Sequence, residues 1–294
     1  MPVLGSGLTW NVVDDVRQLL EFHFMVNAYR AGTVVAVAAA IIGWFMVLRA
    51  QSFVGHTLSL VAFPGAAAAT LIGISAAWGY YGVSLAAALV IAAIPRTHGH
   101  SFSEESAVVG TVQAFALGCG FLFVTLYHGL LSGTTSLLFG SFLGVTDGQV
   151  VTLLAVASVA LVALGAIARP LLFATIDPDV AAARGVPVRL LSVAFLALLA
   201  VAVAQASQIT GVLLVFALLV VPPATAQAVT SRPVLGVALS VAIGLVVTWV
   251  GLALAYFYDR PVGFCITTLA FGLYLVAHAA RRIARHVRDL RLAA

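Results

Sequence analysis

Lysine is missing from this chain of 294 residues, so its basic side chains other than histidine are all arginine. Charged residues of both signs make up only 8% of the chain, against roughly 25% in soluble globular domains. A soluble fold needs a charged surface, and this composition does not supply one. Because the phosphate-binding Gly-x-x-x-x-Gly-Lys loop requires a lysine, the chain also lacks that means of holding ATP.

Signatures of enzymes and cofactor sites are scarce too. The two cysteines, Cys119 and Cys265, both lie in apolar runs and form no Cys-x-x-Cys pair. The sequence contains no His-Glu-x-x-His and no Gly-x-Ser-x-Gly. We therefore expect neither enzymatic activity nor a covalently bound cofactor. Carboxylates are absent from the middle of the apolar runs, which disfavours a proton-driven carrier.

Apolar residues are abundant instead, at 63% of the chain, and the mean hydropathy is +1.14. Apolar runs of about 20 residues recur, each long enough to cross a bilayer core as a helix. The predicted fold is an all-α, polytopic membrane protein with eight or nine transmembrane helices, the lower number applying if the short run Tyr80–Ile94 is re-entrant. The nine candidate spans are Phe24–Leu48, Val54–Trp78, Tyr80–Ile94, Ala107–Leu131, Val150–Ala168, Leu190–Ala206, Gly211–Val229, Val234–Tyr258 and Gly263–Ala280.

Three regions follow from this pattern. Residues 1–23 are predicted to lie at the membrane interface, with an amphipathic helix near Val12–Leu20. Residues 24–280 form the transmembrane domain. Residues 281–294 form a basic tail that we expect on the cytoplasmic side.

The arginines predict the orientation of the chain. If the connection at 169–189 is cytoplasmic and the spans alternate, eleven arginines fall inside, and only Arg17, Arg30 and Arg260 fall outside. This bias follows the positive-inside rule. We therefore expect a multi-pass protein of the cytoplasmic (inner) membrane with a cytoplasmic C-terminus. The net charge of +4 reflects this orientation and indicates no nucleic-acid partner.

The connection at 169–189 holds the longest charged break in the second half of the chain, from Asp177 to Arg189. An alanine-rich segment within it predicts a short helix at Val180–Arg184, ended by Gly185. An ordinary connecting loop remains the alternative on these residues alone.

His56 is the strongest candidate for contact with a metal ion, since imidazole is a common ligand of divalent transition metals. Thr57 and Ser59 lie beside it, and Pro64 and Gly65 follow, where the proline removes a helix hydrogen bond and can open the backbone. The alternative is an interfacial histidine whose nitrogens meet water among the lipid headgroups.

A second cluster, His98 and His100 followed by Glu104 and Glu105, is predicted to hold a metal transiently on the cytoplasmic side. The alternative is a pair of solvated loop histidines, with the two glutamates forming the acidic first turn of a helix capped by Ser103.

Five stretches in order resemble the permease subunits of zinc and manganese ABC importers, the metal ABC transporter permeases. These stretches are Val47–His56, Leu58–Ala66, Leu138–Gly144, Ile176–Val188 and Gly211–Ala226. The resemblance runs from about Phe24 to the last span. It implies a homodimeric pore in the lipid bilayer, a pair of cytoplasmic ATPases that alone bind ATP, and an extracytoplasmic metal-binding protein.

The resemblance also implies roles for individual residues. It makes the charged break a docking helix for the ATPase, with Asp177, Asp179, Arg184 and Gly185 as its coupling residues. Flexible points within the spans are expected at two further pairs of residues, Pro64-Gly65 and Pro222-Pro223.

The chain departs from the family at its candidate metal site. Many members begin the second span with Gly-Asp-x-Leu-Ser-His, and here His56 occupies the acid position and Leu60 the histidine position. Two imidazoles related by a two-fold axis suit zinc better than manganese, which prefers oxygen ligands. Zinc is therefore the favoured cargo and manganese the next. A stand-alone secondary carrier or cation channel is the alternative function.

Overall fold

The computed structural model of the chain describes residues 11–93, 102–126, 140 and 142–293. This described part is helical, with no strand within it. Its α-helices are α1 Val12–Glu21, α2 His23–Leu48, α3 Ser52–Leu71, α4 Ala76–Ala93, α5 Phe102–Leu126, α6 Asp147–Ile176, α7 Pro178–Ala183, α8 Val188–Thr210, α9 Val212–Val229, α10 Pro233–Tyr258 and α11 Val262–Ala293.

Eight of the described helices are long and apolar enough to cross a membrane: α2, α3, α4, α5, α6, α8, α10 and α11. The 18-residue α9 is also apolar and packs between α2, α10 and α11. The prediction of a polytopic all-α membrane protein is confirmed. The amphipathic helix expected near Val12–Leu20 is present as α1 and packs on α2.

The second predicted span ends earlier than the sequence suggested. Helix α3 stops at Leu71, and Gly73 adopts a left-handed backbone with φ of +78°, which favours glycine. Trp78 therefore belongs to α4, which gains enough residues at its start to form an uninterrupted helix of 18 residues. The short span expected at Tyr80–Ile94 is thus an ordinary full helix rather than a broken one.

The charged connection is shorter than the range 169–189. Helix α6 continues through Arg169 and Pro170 to Ile176, because a proline near the end of a long helix removes only one hydrogen bond. The non-helical links on either side of α7 are only Asp177 and the residues 184–187.

Close packing of small residues holds the core together. Helices α2, α3 and α8 are the most buried of the spans. A methyl group on Gly43 of α2 would overlap the carbonyl oxygen of Leu219 in α9. Gly65 of α3 and Gly79 of α4 face each other in the same way, backbone against backbone. Lipid supplies no hydrophobic drive between helices, so such close approach is what stabilises their association.

Replacing Gly79 should test this packing. Gly79→Ala would force α3 and α4 apart and should cost about 1–3 kcal/mol, the usual range for overpacking. The melting temperature of the detergent-purified protein should fall. Gly82→Ala, on the same helix but with open space around it, is the matched control and should leave the melting temperature unchanged or slightly higher. Equal melting temperatures for the two variants would contradict the close contact.

Candidate functional site

His56 is the fifth residue of α3 and faces α9. Its ring meets the ring of Phe216 edge-on, with 4.7 Å between centroids and an interplanar angle of 63°. The Nδ1 atom is buried and has no hydrogen-bond partner among the described residues. A buried nitrogen without a partner is costly in a protein interior, and binding a cation through its lone pair would relieve that cost.

The two hydroxyls predicted to accompany His56 have other partners. The Thr57 hydroxyl donates to Oε1 of Gln113 on α5 at 3.0 Å. The Ser59 hydroxyl donates to the backbone carbonyl of His56 at 2.7 Å. Both side chains are buried. The structure therefore places Thr57 and Ser59 in helix contacts next to the imidazole rather than around one shared point with it.

Pro64 leaves a backbone oxygen without its helical donor one turn beyond His56. Pro64 lies inside α3 and has no N–H, so the carbonyl of Leu60 loses the donor that an α-helix normally supplies. Leu60 shares a helix face with His56, because the two residues are four apart. The chain thus has a leucine where the resemblance predicts a histidine.

The Pro64-Gly65 pair lies where three helices meet. Gly65 packs on Gly79 of α4, and a methyl group on Gly120 of α5 would come within 3.1 Å of Pro64. The close contacts on both sides show that this point of α3 is tightly enclosed.

Pro222 and Pro223 lie inside α9 and are buried. They leave the carbonyls of Leu218 and Leu219 without helical donors. The Leu219 carbonyl is the group that approaches Gly43 of α2 most closely. The helix that carries Phe216, the neighbour of His56, is therefore weakened in the middle by two consecutive prolines.

Among the described residues, no group of three or more histidine, cysteine, aspartate or glutamate side chains could hold a metal ion. In the described part of the chain, His56 therefore belongs to no such group. The second predicted cluster, His98 and His100, lies outside the described residues.

The predicted docking helix is present as α7, which begins two residues earlier than expected and has a defined stop at each end. The Asp177 side chain caps the helix by accepting a hydrogen bond from the backbone N–H of Val180 at 3.0 Å. Gly185 has φ of +80°, and the N–H groups of Gly185 and Val186 donate to the carbonyls of Ala182 and Ala181. This is a Schellman motif, which ends a helix at a left-handed glycine. Asp177 and Gly185 therefore build α7.

Asp179 and Arg184, by contrast, point away from the body of the protein and are exposed. Ala181 is fully buried and lies on the side of α7 that packs against the rest of the protein. Large apolar side chains nearby are also exposed: Ile176, Val180 and Leu190. Charged and apolar groups exposed together on a short, rigid helix are typical of a surface that binds another protein.

Arg49, at the end of α2, connects the two helices that flank α7. Its guanidinium donates to the hydroxyl of Thr175 on α6 and to the hydroxyl of Ser192 on α8, both at 2.9 Å. A third bond reaches the side chain of Gln51, and the guanidinium also lies 5.4 Å from the centre of the Phe195 ring. Gln51 directly precedes α3. Arg49 thus links the two helices that flank α7 to the start of α3, the helix that carries His56.

Comparison with known proteins identifies the family. The model of the ABC 3 transport family matches residues 21–281. The chain belongs to the ABC 3 transport family. It is 28% identical over 260 residues to the manganese transport system membrane protein MntC of Halalkalibacterium halodurans, with 88% of each chain covered. It is also 28% identical to the chelated iron transport system membrane protein YfeC of Yersinia pestis, covering 90% of this chain and 89% of that one.

A solved structure is similar over almost the whole fold. The chain matches PsaBC from Streptococcus pneumoniae in complex with Fab, with a TM-score of 0.80, 26% identity and coverage of 90% of this chain and 95% of that one. This ABC 3 protein is therefore a membrane permease subunit rather than an enzyme, and ATP hydrolysis belongs to a separate subunit.

Arg49 is the residue that the sequence did not single out as part of a site. It counted only as one of the cytoplasmic arginines and as part of the stretch Val47–His56. Its partners, Thr175 and Ser192, lie more than 120 residues away in sequence. An arginine in the short link between two spans was the signal that could have drawn attention to it.

The three hydrogen bonds of Arg49 predict its effect on stability. Hydrogen bonds to charged groups contribute about 1.5–3 kcal/mol each in favourable cases, so Arg49→Met should lower the melting temperature of the purified permease by several degrees. Arg189→Met changes an exposed arginine on α8 and serves as the control. Equal melting temperatures for the two variants would show that the hydrogen bonds of Arg49 do not stabilise the protein.

Proposed function

We propose that this chain is the permease subunit of an ATP-driven importer of a divalent transition metal, with zinc favoured over manganese. The observation that carries the proposal is His56, a histidine in the second span whose buried Nδ1 lacks a partner among the described residues and faces α9. The similarity to proteins named for manganese and iron transport supports a transition metal as cargo.

The preference for zinc rests on the donor atoms. Zinc is bound readily by imidazole nitrogen, whereas manganese favours carboxylate, carbonyl and water oxygens. In this chain His56 stands where an acid is expected in the second span. A second copy of the chain would add a second imidazole across a two-fold axis. That arrangement needs a homodimer, which is part of the proposal.

The partners follow from the two ends of the molecule. A pair of cytoplasmic ATPases docks on α7 and supplies the energy, so ATP acts only through them. An extracytoplasmic metal-binding protein delivers the ion to the opposite face. The chain sits in the inner membrane with its C-terminus in the cytoplasm, as the arginine distribution predicts.

Arg49 gives this proposal a physical link between the two sites. A shift of α7 by the ATPase would be felt by α6 and α8, and the guanidinium joins both helices to the start of α3. His56 lies about one turn further along that helix. ATP hydrolysis would then move α3 relative to α9 and so act on the ion at His56. Both helices contain prolines, which make them easier to bend.

Replacing His56 tests the cargo site. His56→Ala should lower zinc uptake by roughly tenfold or more, in line with losses seen when metal ligands or their supports are removed. His56→Asp should shift the preference from zinc toward manganese, because it restores an oxygen donor. Uptake of each radiolabelled ion would be measured in proteoliposomes that contain the permease, its ATPase and its metal-binding protein.

Phe216→Leu is the matched control for these variants, because it removes the ring contact and leaves the imidazole in place. It should retain most of the zinc uptake. Unchanged zinc uptake by a folded His56→Ala protein would overturn the role of His56.

Reversing the charge of Arg184 tests the docking helix. Arg184→Glu should leave the permease folded, because the side chain is exposed. ATP hydrolysis in the assembled complex should lose its stimulation by metal-loaded binding protein. Arg232→Glu makes the same change at an exposed arginine between α9 and α10 and should leave stimulation intact. Normal coupling in Arg184→Glu would contradict docking through this residue, and transport without any ATPase would indicate a secondary carrier instead.

A further inference from the structure

A large apolar hollow opens at the end of the molecule that lies opposite the docking helix. Its volume is about 1020 Å³, and side chains of α1, α2, α6 and α10 line it. Leu19 of α1 and Leu254 of α10 are typical of its walls. The amphipathic helix α1 forms one side, so the hollow lies where the membrane interface meets the hydrocarbon.

The polar groups of three lining residues satisfy one another. The indole N–H of Trp249 donates to the hydroxyl of Thr33 at 2.9 Å, and that hydroxyl donates to the backbone carbonyl of Tyr29 at 2.7 Å. The Tyr29 hydroxyl in turn donates to the backbone carbonyl of Trp249 at 3.3 Å. These contacts hold α2 and α10 together. The side-chain donors of Tyr29, Thr33 and Trp249 are all engaged in them.

Arg30 is the charged residue in the lining, and it interacts electrostatically with the nearby carboxylate of Asp147. Its guanidinium makes no hydrogen bond or ion pair within the part of the chain that the structure describes. The neighbouring carboxylate of Asp147 is paired with His23 at 2.9 Å. Arg30 is exposed, and the surface of the hollow is almost entirely apolar, so the five N–H donors of this permanent cation lie at the rim of the hollow.

A lone arginine in a span is costly, by roughly 2.5–3.5 kcal/mol at the centre of a helix on insertion scales. Arg30 is the eighth residue of α2, so it lies about 10 Å along the helix from its start. At this depth the side chain can reach the level of the lipid phosphates. A phosphate pairs well with a guanidinium, because two parallel N–H donors fit two of its oxygens.

We propose that the hollow binds an anionic phospholipid, with its phosphate held by Arg30 and an acyl chain along the apolar walls. The lipid would belong to the leaflet on the side of α1. The apolar walls fit the chain and the single positive charge selects the headgroup. This inference does not depend on the cargo of the permease.

The test compares lipids that remain bound after purification. The wild-type chain, Arg30→Gln and Arg17→Gln would be reconstituted in nanodiscs of phosphatidylglycerol and phosphatidylcholine, extracted with mild detergent, and examined by native mass spectrometry. Loss of a charged hydrogen bond should reduce phosphatidylglycerol retained by Arg30→Gln by roughly tenfold or more. Arg17 is exposed on α1 and does not line the hollow, so Arg17→Gln should retain the lipid.

A second pair of variants changes the volume without changing charge. Val150→Trp fills the hollow and should also lose the lipid, whereas Val151→Trp, on the exposed side of the same helix, should keep it. Equal retention of phosphatidylglycerol by all four variants would overturn the proposal. Equal retention of phosphatidylcholine by the wild type would overturn the charge recognition. Efficient cross-linking of two copies through Ala253→Cys would show that a second copy of the chain covers the hollow instead.

Discussion

The bilayer offers no hydrogen bonds to a peptide group, so each span must pair its own backbone groups, and this constraint shapes the whole molecule. Long apolar helices meet it, and close contacts such as Gly65 on Gly79 pack them together. Three of the four prolines inside the described helices break the pattern on two helices that meet at His56: Pro64 on α3 and the pair Pro222-Pro223 on α9. Each of these two helices thus has an interrupted backbone hydrogen-bond ladder further along its length.

In the proposed importer, ATPase docking and cargo binding take place at separate points of the fold, and the side chain of Arg49 lies between them. Helix α7 has a defined cap at each end, at Asp177 and Gly185, so it is suited to move as one body. Arg49 donates to its two flanking helices at 2.9 Å and to the side chain of Gln51, which precedes α3, at 3.3 Å. Hydrogen bonds of a charged guanidinium are directional, so a shift of one partner would act on the others. Arg49 therefore matters for more than the stability of one helix end.

The sequence was sufficient for features that depend on neighbours along the chain. Apolar runs predicted the spans, and the left-handed Gly185 and the short helix before it were recognisable from composition and spacing. Features set by distant residues were not accessible. Thr57 meets Gln113, and Arg49 meets Thr175 and Ser192, through packing that no local pattern encodes. The end of α3 was misplaced because Gly73 turns the chain inside an apolar run that has no charge to mark a break.

Helix α11 has a consequence for the surroundings of the permease. It is one continuous helix from Val262 to Ala293, about 48 Å long, whereas the hydrocarbon core is roughly 30 Å thick. About a third of α11 must therefore extend beyond the hydrocarbon core as a rigid helix. This part lies at the same end of the molecule as α7. Arg281 and Arg282 are exposed on this helix. The projecting part sets a minimum distance between the membrane surface and any large body that approaches beside it.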